Sequence, residues 1–365
     1  MGRKMRKALA LVAAVAATGV GTAVLAQTVP SAPANAASAP RDGAHDFDFN
    51  FGVWHTHITR TPDPFGAPAA NFVMDGTVTV RRIWGGKGAL EEIEADGPRG
   101  HWEGMTLFLY NPEARQWSQT FANSADGALQ PSMVGSFSGS RGELYGADTF
   151  KGRAILVRGT WSIAGPDAHR YEEAYSQDGG RTWSVAFRGD LTRISSEAPK
   201  PAAATPPTAD DGPHAFDFDM ARWRTSTSRL QKPLTGSTTW TQMQGVTDVQ
   251  PVWGGKANLA VLESEGPNGP LQLISLRLYD PVAKQWSLNF ATSGVGVRSV
   301  PMVGSFEKGH GTFYDQEAYN GRMVWVRFSI FPTGPDSARS EQAFSADYGR
   351  TWETNFVNRY TRLRG

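Results

Sequence analysis

The chain has 365 residues, more than one small core needs and about right for two domains. Its 36 Lys and Arg against 35 Asp and Glu leave a formal net charge of +1, so no broad electrostatic pull toward nucleic acid or an anionic membrane is expected. There is no Cys, which excludes disulfides, thiolate metal sites, a catalytic Cys and a lipoprotein anchor.

In chain order, Arg3, Lys4, Arg6 and Lys7 form a basic start, and an uncharged Ala- and Val-rich run follows over 8–26. Val24 and Ala26 supply small residues at cleavage spacing. The pattern predicts a removable signal peptide over 1–26, a mature start near Gln27, a secreted or periplasmic location and no membrane span once the segment is gone. A retained anchor is the alternative reading, weakened by the Ala, Gly and Thr that dilute the run. Residues 27–43 are Ala-, Pro- and Ser-rich and read as a disordered lead-in.

From 44 to 194 short β-type runs alternate with turn signals. Runs at 72–84, 90–96, 105–110, 117–123 and 154–163 are separated by Asn111-Pro112, Ser124-Ala125-Asp126-Gly127, Lys151-Gly152 and Asp178-Gly179-Gly180. The connections are too short for parallel crossovers, so neighbouring strands should be antiparallel. About ten strands are expected. A meander of that length closes most easily into a barrel, which removes its edges, with a two-sheet sandwich as the alternative.

Residues 195–212 contain Pro-Lys-Pro-Ala-Ala-Ala-Thr-Pro-Pro and read as an extended linker. The second domain, 213–365, repeats the first. His45-Asp46-Phe47-Asp48-Phe49 returns as His214-Ala215-Phe216-Asp217-Phe218, 169 positions on (45 to 214). Trp84-Gly85-Gly86-Lys87 returns as Trp253-Gly254-Gly255-Lys256, and Met133 to Phe137 returns as Met302 to Phe306, at the same offset. A constant offset over the whole copy means duplication of an entire domain. Each copy carries a full set of strands and is expected to fold alone. The fold class is therefore all-β, two tandem antiparallel up-and-down barrels.

The opening Phe47-Asp48-Phe49, then Gly52-Val53-Trp54, resembles the start of a bacterial family of secreted or soluble calycin-like domains of unknown function, related in shape to lipocalins and fatty-acid-binding proteins. The resemblance spans nearly all of each copy, including Tyr110-Asn111-Pro112 to Gln116-Trp117-Ser118 and the closing Gly180-Arg181-Thr182-Trp183. It implies a Trp packed at the barrel floor under an Arg near the domain's end. Trp54 with Arg193, and Trp223 with Arg362, fit that role, which is structural. The second copy departs at Ala221, where the first has Gly52. The resemblance brings no established activity.

Several motifs have bland readings. Ser176 to Trp183 and Ser345 to Trp352 match an Asp-box, a hairpin in which the Asp binds turn amides and the Trp packs behind; it carries no catalysis. Gly85-Gly86-Lys87 lacks the longer frame of a phosphate loop and reads as a turn. His55 and His57 share one strand face, but the second copy has Arg224 and Ser226 there and no further ligand lies at metal spacing. No metal or cofactor is expected, and haem is disfavoured because no repeated His lies in a strand.

The repeated charges inside strands are more informative. Arg158 and Arg327, Glu172 and Glu341, Glu94 and Glu263, and Arg60 and Arg229 all recur. They form either an outer-face ladder of ion pairs or an interior cluster that orients a ligand's carboxylate or carbonyl. On the second reading Arg158, Glu172 and Glu94, with Arg327, Glu341 and Glu263, are the candidate ligand-binding residues. The leading function is then a barrel that binds a small, partly apolar molecule. An enzyme of hydratase, isomerase or lyase type in the same cavity, and an interaction module with filled barrels, are the alternatives. No catalytic residue is assigned.

Overall fold

The computed structural model describes residues 41–66, 71–200 and 211–364. The expected signal peptide and residues 201–210 of the expected linker lie outside the described residues. Ten strands build the first copy: β1 (Gly52–Arg60), β2 (Phe72–Ile83), β3 (Gly88–Gly97), β4 (Gly100–Asn111), β5 (Gln116–Asn123), β6 (Met133–Ser138), β7 (Arg141–Phe150), β8 (Arg153–Gly165), β9 (Ala168–Ser176) and β10 (Ser184–Ser195). Ten more build the second: β11 (Arg222–Leu230), β12 (Trp240–Val252), β13 (Ala257–Glu265), β14 (Leu271–Asp280), β15 (Gln285–Thr292), β16 (Met302–Glu307), β17 (His310–Tyr319), β18 (Arg322–Gly334), β19 (Ser337–Ser345) and β20 (Glu353–Arg362). Each strand pairs antiparallel with its sequence neighbour, and β1 with β10, and β11 with β20, close two barrels. Closure leaves no unpaired ladder, so the sandwich alternative is set aside.

Strand alternation decides what points inward. On β1, Trp54, Thr56 and Ile58 are buried in the lumen, while His55 and His57 face out. His57 Nδ1 meets Asp75 at 2.8 Å on the outer wall. One end of each barrel is plugged by the chain that enters it. Phe47 sits 4.6 Å from Phe108 and 5.0 Å from both Trp117 and Phe137, ring centre to ring centre. Phe216 does the same against Trp286 and Phe306, at 4.8 Å from each.

Over this plug the closing strands place Trp54 opposite Arg193 and Trp223 opposite Arg362. The guanidinium carbon of Arg193 lies 3.9 Å from the Trp54 ring centre, and that of Arg362 lies 4.4 Å from that of Trp223. Arg193 also donates to the carbonyls of Phe51 and Phe49, at 2.8 and 2.9 Å, and its Nε lies 3.1 Å from the exposed Asp167 carboxylate, so its charge is held by ring, carbonyls and a surface acid. Gly52 has φ +116, and a Cβ there would meet the Ser195 carbonyl at 2.2 Å. The first barrel shifts register between Val53 and Trp54 at this point. In the second, β11 starts only at Arg222, so Ala221 is spared that conformation.

The two copies do not have separate surfaces. The outer faces of β3, β4 and β5 carry Leu90, Met105, Leu107, Leu109 and Ala122, which join Leu259, Ile274, Leu276, Leu278 and Ala291 of β13, β14 and β15 in one buried apolar cluster. These are the same positions of the repeat, so the barrels meet face to face about a pseudo-two-fold axis. The turns confirm the symmetry: a Cβ on Gly127 would meet the Tyr279 carbonyl at 1.9 Å, and one on Gly296 would meet that of Tyr110 at 1.7 Å. Trp84 and Trp253 belong to the same cluster and both hold positive φ, 54 and 52. Such backbone is uncommon in a non-glycine residue, and here both rings are buried where the barrels meet.

Candidate functional site

The lumen above the plug of the first barrel is not filled. A cavity of about 150 Å³ lies between Glu91 of β3, Trp102 and Thr106 of β4, Phe121 of β5, Tyr171, Glu173 and Tyr175 of β9, and Arg60 at the mouth. Glu91 is 5% exposed. It accepts from Asn50 Nδ2 at 3.1 Å and from Thr106 Oγ1 at 3.0 Å. Burial pushes its carboxyl up to about 6, against the lowering effect of those two donors. Glu173 accepts from Tyr175 and Tyr171, at 2.9 and 3.3 Å. Burial raises it too, and the phenols of Tyr171 and Tyr175 are pushed above the ordinary tyrosine range by burial and by Glu173.

Below the cavity His169 is buried against Trp54, with ring centres 4.2 Å apart, and against Phe49, at 5.0 Å. Burial, then the Arg193 charge, hold it down to about 3, so this histidine is neutral at physiological pH.

The second barrel has an inner cavity of about 160 Å³ with a different lining: Thr247, Leu262, Arg277, Phe290, Glu317 and Tyr360 are on its wall. Leu273, Gln342 and Phe356 also border a mouth cavity of about 570 Å³ that includes Arg229 and Lys232, so the inner chamber continues toward that mouth. Arg277 is already neutralised, its Nη1 2.6 Å from Asp219 Oδ2 in a pair whose side chains are only 5% and 3% exposed.

Asp315 and Glu317 lie two apart on the inner face of β17. Burial, then the negative charge of Glu317, push Asp315 up from 3.8 to about 7. The folded value lies above the unfolded one, so Asp315 favours folding fully below pH 3.8 and loses that contribution as pH rises through about 7. Asp315→Asn should therefore raise stability at pH 8 by about 1–2 kcal/mol, allowing for its partial exposure, and leave it unchanged at pH 3.5. Urea midpoints at the two pH values check this. An equal shift at both would show that titration of this group is not involved.

None of the six candidate ligand-binding residues faces a lumen, which corrects the interior reading. Arg158 pairs across β7 and β8 with Tyr145 while Leu144 and Gly159 take the inner side. Its guanidinium lies on the outer wall, 4.6 Å over Trp183. Arg327 does the same over Trp352 at 4.5 Å. Glu172 bonds Arg188 at 2.8 Å and Glu341 bonds Arg339, on the outer faces of β9 and β19. Glu94 is exposed, and Glu263 is exposed and accepts from Gln272 at 3.1 Å. The physical reason is pleat parity. Val157, Glu173 and Ile93, the inward neighbours, take the lumen, so Arg158, Glu172 and Glu94 must point away. Of the repeated charges only Arg60 and Arg229 line the barrel cavities, while Glu263 borders an outer cleft with Arg82 and Arg222.

The Asp-box hairpins are built as turns: Thr182 N and Oγ1 donate to Asp178, and Trp183 Nε1 to the Gly180 carbonyl, with the same set at Asp347, Thr351 and Trp352. Their Trp rings are the surfaces on which Arg158 and Arg327 lie, which accounts for the repetition of those arginines without a ligand.

No protein-family model matches the sequence, and no curated protein matches it. Among solved structures, an S-type phycobiliprotein lyase from Guillardia theta is similar at 14% identity and a TM-score of 0.28, over 41% of this chain and 91% of that one. A protein of unknown function of the DUF3598 family from Nostoc punctiforme is similar at 8% identity and a TM-score of 0.26, over 88% of this chain and 100% of that one. Likeness at that level decides nothing about activity, and the assignment of two closed antiparallel barrels rests on their ten strands each.

Proposed function

We propose that the protein is an exported binder of small, partly apolar molecules, with one site inside each barrel. The observation that carries this reading is that both lumens keep a cavity, of about 150 and 160 Å³, lined by aromatic rings together with convergent polar groups. A barrel serving only as scaffold would fill that space with side chains. Export rests on the basic start and apolar run before Gln27. Native mass spectrometry of the protein from its own cells tests both parts. The expected result is a polypeptide mass beginning at Gln27 and a retained small molecule. An intact Met1 would refute processing, and ligand-free protein that binds nothing from a metabolite extract would refute the binding reading.

A second reading is favoured by one observation. Glu91, raised to about 6, stands in the same cavity as Glu173. A carboxyl at that value can serve as general acid or base near neutral pH, so turnover of the retained molecule is the measurement that separates an enzyme from a carrier.

A further inference from the structure

The cavity of the first barrel has a sign as well as a shape. Two carboxylates, Glu91 and Glu173, line it from strands β3 and β9. Every hydrogen bond recorded to them comes from a neutral donor: Asn50 and Thr106 to Glu91, Tyr171 and Tyr175 to Glu173. Neither has a cation within 4 Å among the described residues. Arg60 acts on Glu173 only through space, from the exposed mouth. A third acid, Asp148, adds its field to that of Glu173. Enclosed carboxylates without a counter-ion are costly, and a guest that brings a positive charge relieves that cost where an anion compounds it.

One stretch of the remaining wall is flat and aromatic, beside the polar Gln119, Asn123 and Gln130. Trp102 and Phe121 lie nearly parallel, at 18° with centres 6.1 Å apart, and both border the cavity. Aromatic walls favour a flat ring and attract a cation near their faces. A space of about 150 Å³ matches a cavity known to accept benzene.

Resting on the reading of the barrels as binders, we infer that the first barrel takes a small aromatic ammonium ion, about the size of benzylammonium, with its charge at Glu91 and Glu173 and its ring against Trp102 and Phe121. The second barrel lacks this pair: its own acids, Asp315 and Glu317, stand two apart on one strand, and Arg277 shares the cavity wall. Ala260 and Gln342 stand where the first has Glu91 and Glu173, and Leu271 stands where it has Trp102. Each chain should hold one such ion.

Calorimetric titration of the full chain with benzylammonium, benzyl alcohol and benzoate tests this, because the three share a ring and differ in charge. Benzylammonium should bind with one equivalent per chain, benzyl alcohol at least tenfold more weakly, and benzoate not measurably. Glu91→Gln and Glu173→Gln, near-isosteric changes, should each weaken benzylammonium at least tenfold and so narrow or abolish its margin over benzyl alcohol. Benzyl alcohol binding as tightly as benzylammonium would overturn the cation inference while leaving the cavity a binding site. Two equivalents of benzylammonium, or no binding of it, would also overturn the inference; the mass spectrum of the native protein judges the broader reading separately.

Discussion

Arg277→Met should destabilise the second barrel by about 3–5 kcal/mol, the usual consequence of leaving a buried charge without its partner. Arg277 and Asp219 are 4% and 2% exposed. With the guanidinium gone, Asp219 Oδ2 loses its 2.6 Å partner, and Oδ1 already has none. The ring of Phe216, 4.5 Å from the guanidinium carbon, loses its cation as well. Adding Asp219→Asn should recover more than half of the loss, since no net charge is then buried. The first barrel is the precedent, with Phe108 and Asn50 at the matching positions. Urea denaturation of the two variants beside the parent reads both effects. A single variant within about 1 kcal/mol of the parent would mean that the pair contributes no more than an exposed one.

Leu276→Asp should be the most damaging single change at the junction of the barrels. Leu276 is fully buried between the outer faces of β14 and the first copy. Its loss forfeits about 1.5–3 kcal/mol of burial, and an unpaired carboxylate in its place costs several kcal/mol more. The barrels can escape that penalty by parting. The expected result is two thermal transitions in place of one and a larger radius of gyration in solution scattering. One unchanged transition would show that the face-to-face packing contributes little. For the same reason residues 211–365 expressed alone should pair with themselves, since the uncovered stripe complements its own copy across a two-fold axis. The expectation of autonomous folding from the length of each copy thus omits what its outer wall requires.

The repeat and the turn signals made the strands legible, because a constant offset and Gly- or Asp-rich punctuation are local properties. The face of each strand was not. Alternation places Arg158 and Val157 on opposite sides of β8 but does not say which side is inside until pairing with β7 and β9 is known. The lumen residues escaped for a further reason. Repetition between the copies marks what both barrels need, which is plug, turns and wall. Glu91 and Glu173 become Ala260 and Gln342 in the second copy, and a search for matched charges passes over them. The more useful signal was the reverse one, a charged residue in an apolar run in one copy and an uncharged one in the other. The shared stripe is hidden in the sequence because Leu90, Leu107 and Leu109 look like lumen residues when a barrel is considered singly.

The face-to-face packing makes the molecule a dimer whose halves are encoded separately. In an assembly of identical chains any substitution appears twice, so both lumens must change together. Here a change at 91 leaves 260 untouched, and two unlike specificities can be carried at a fixed one-to-one ratio and a fixed separation. The junction has no such freedom, since each half is the other's template. Among descendants of the duplication, the stripe at 90, 107 and 109 should therefore vary in concert with 259, 276 and 278, while the lumens drift apart.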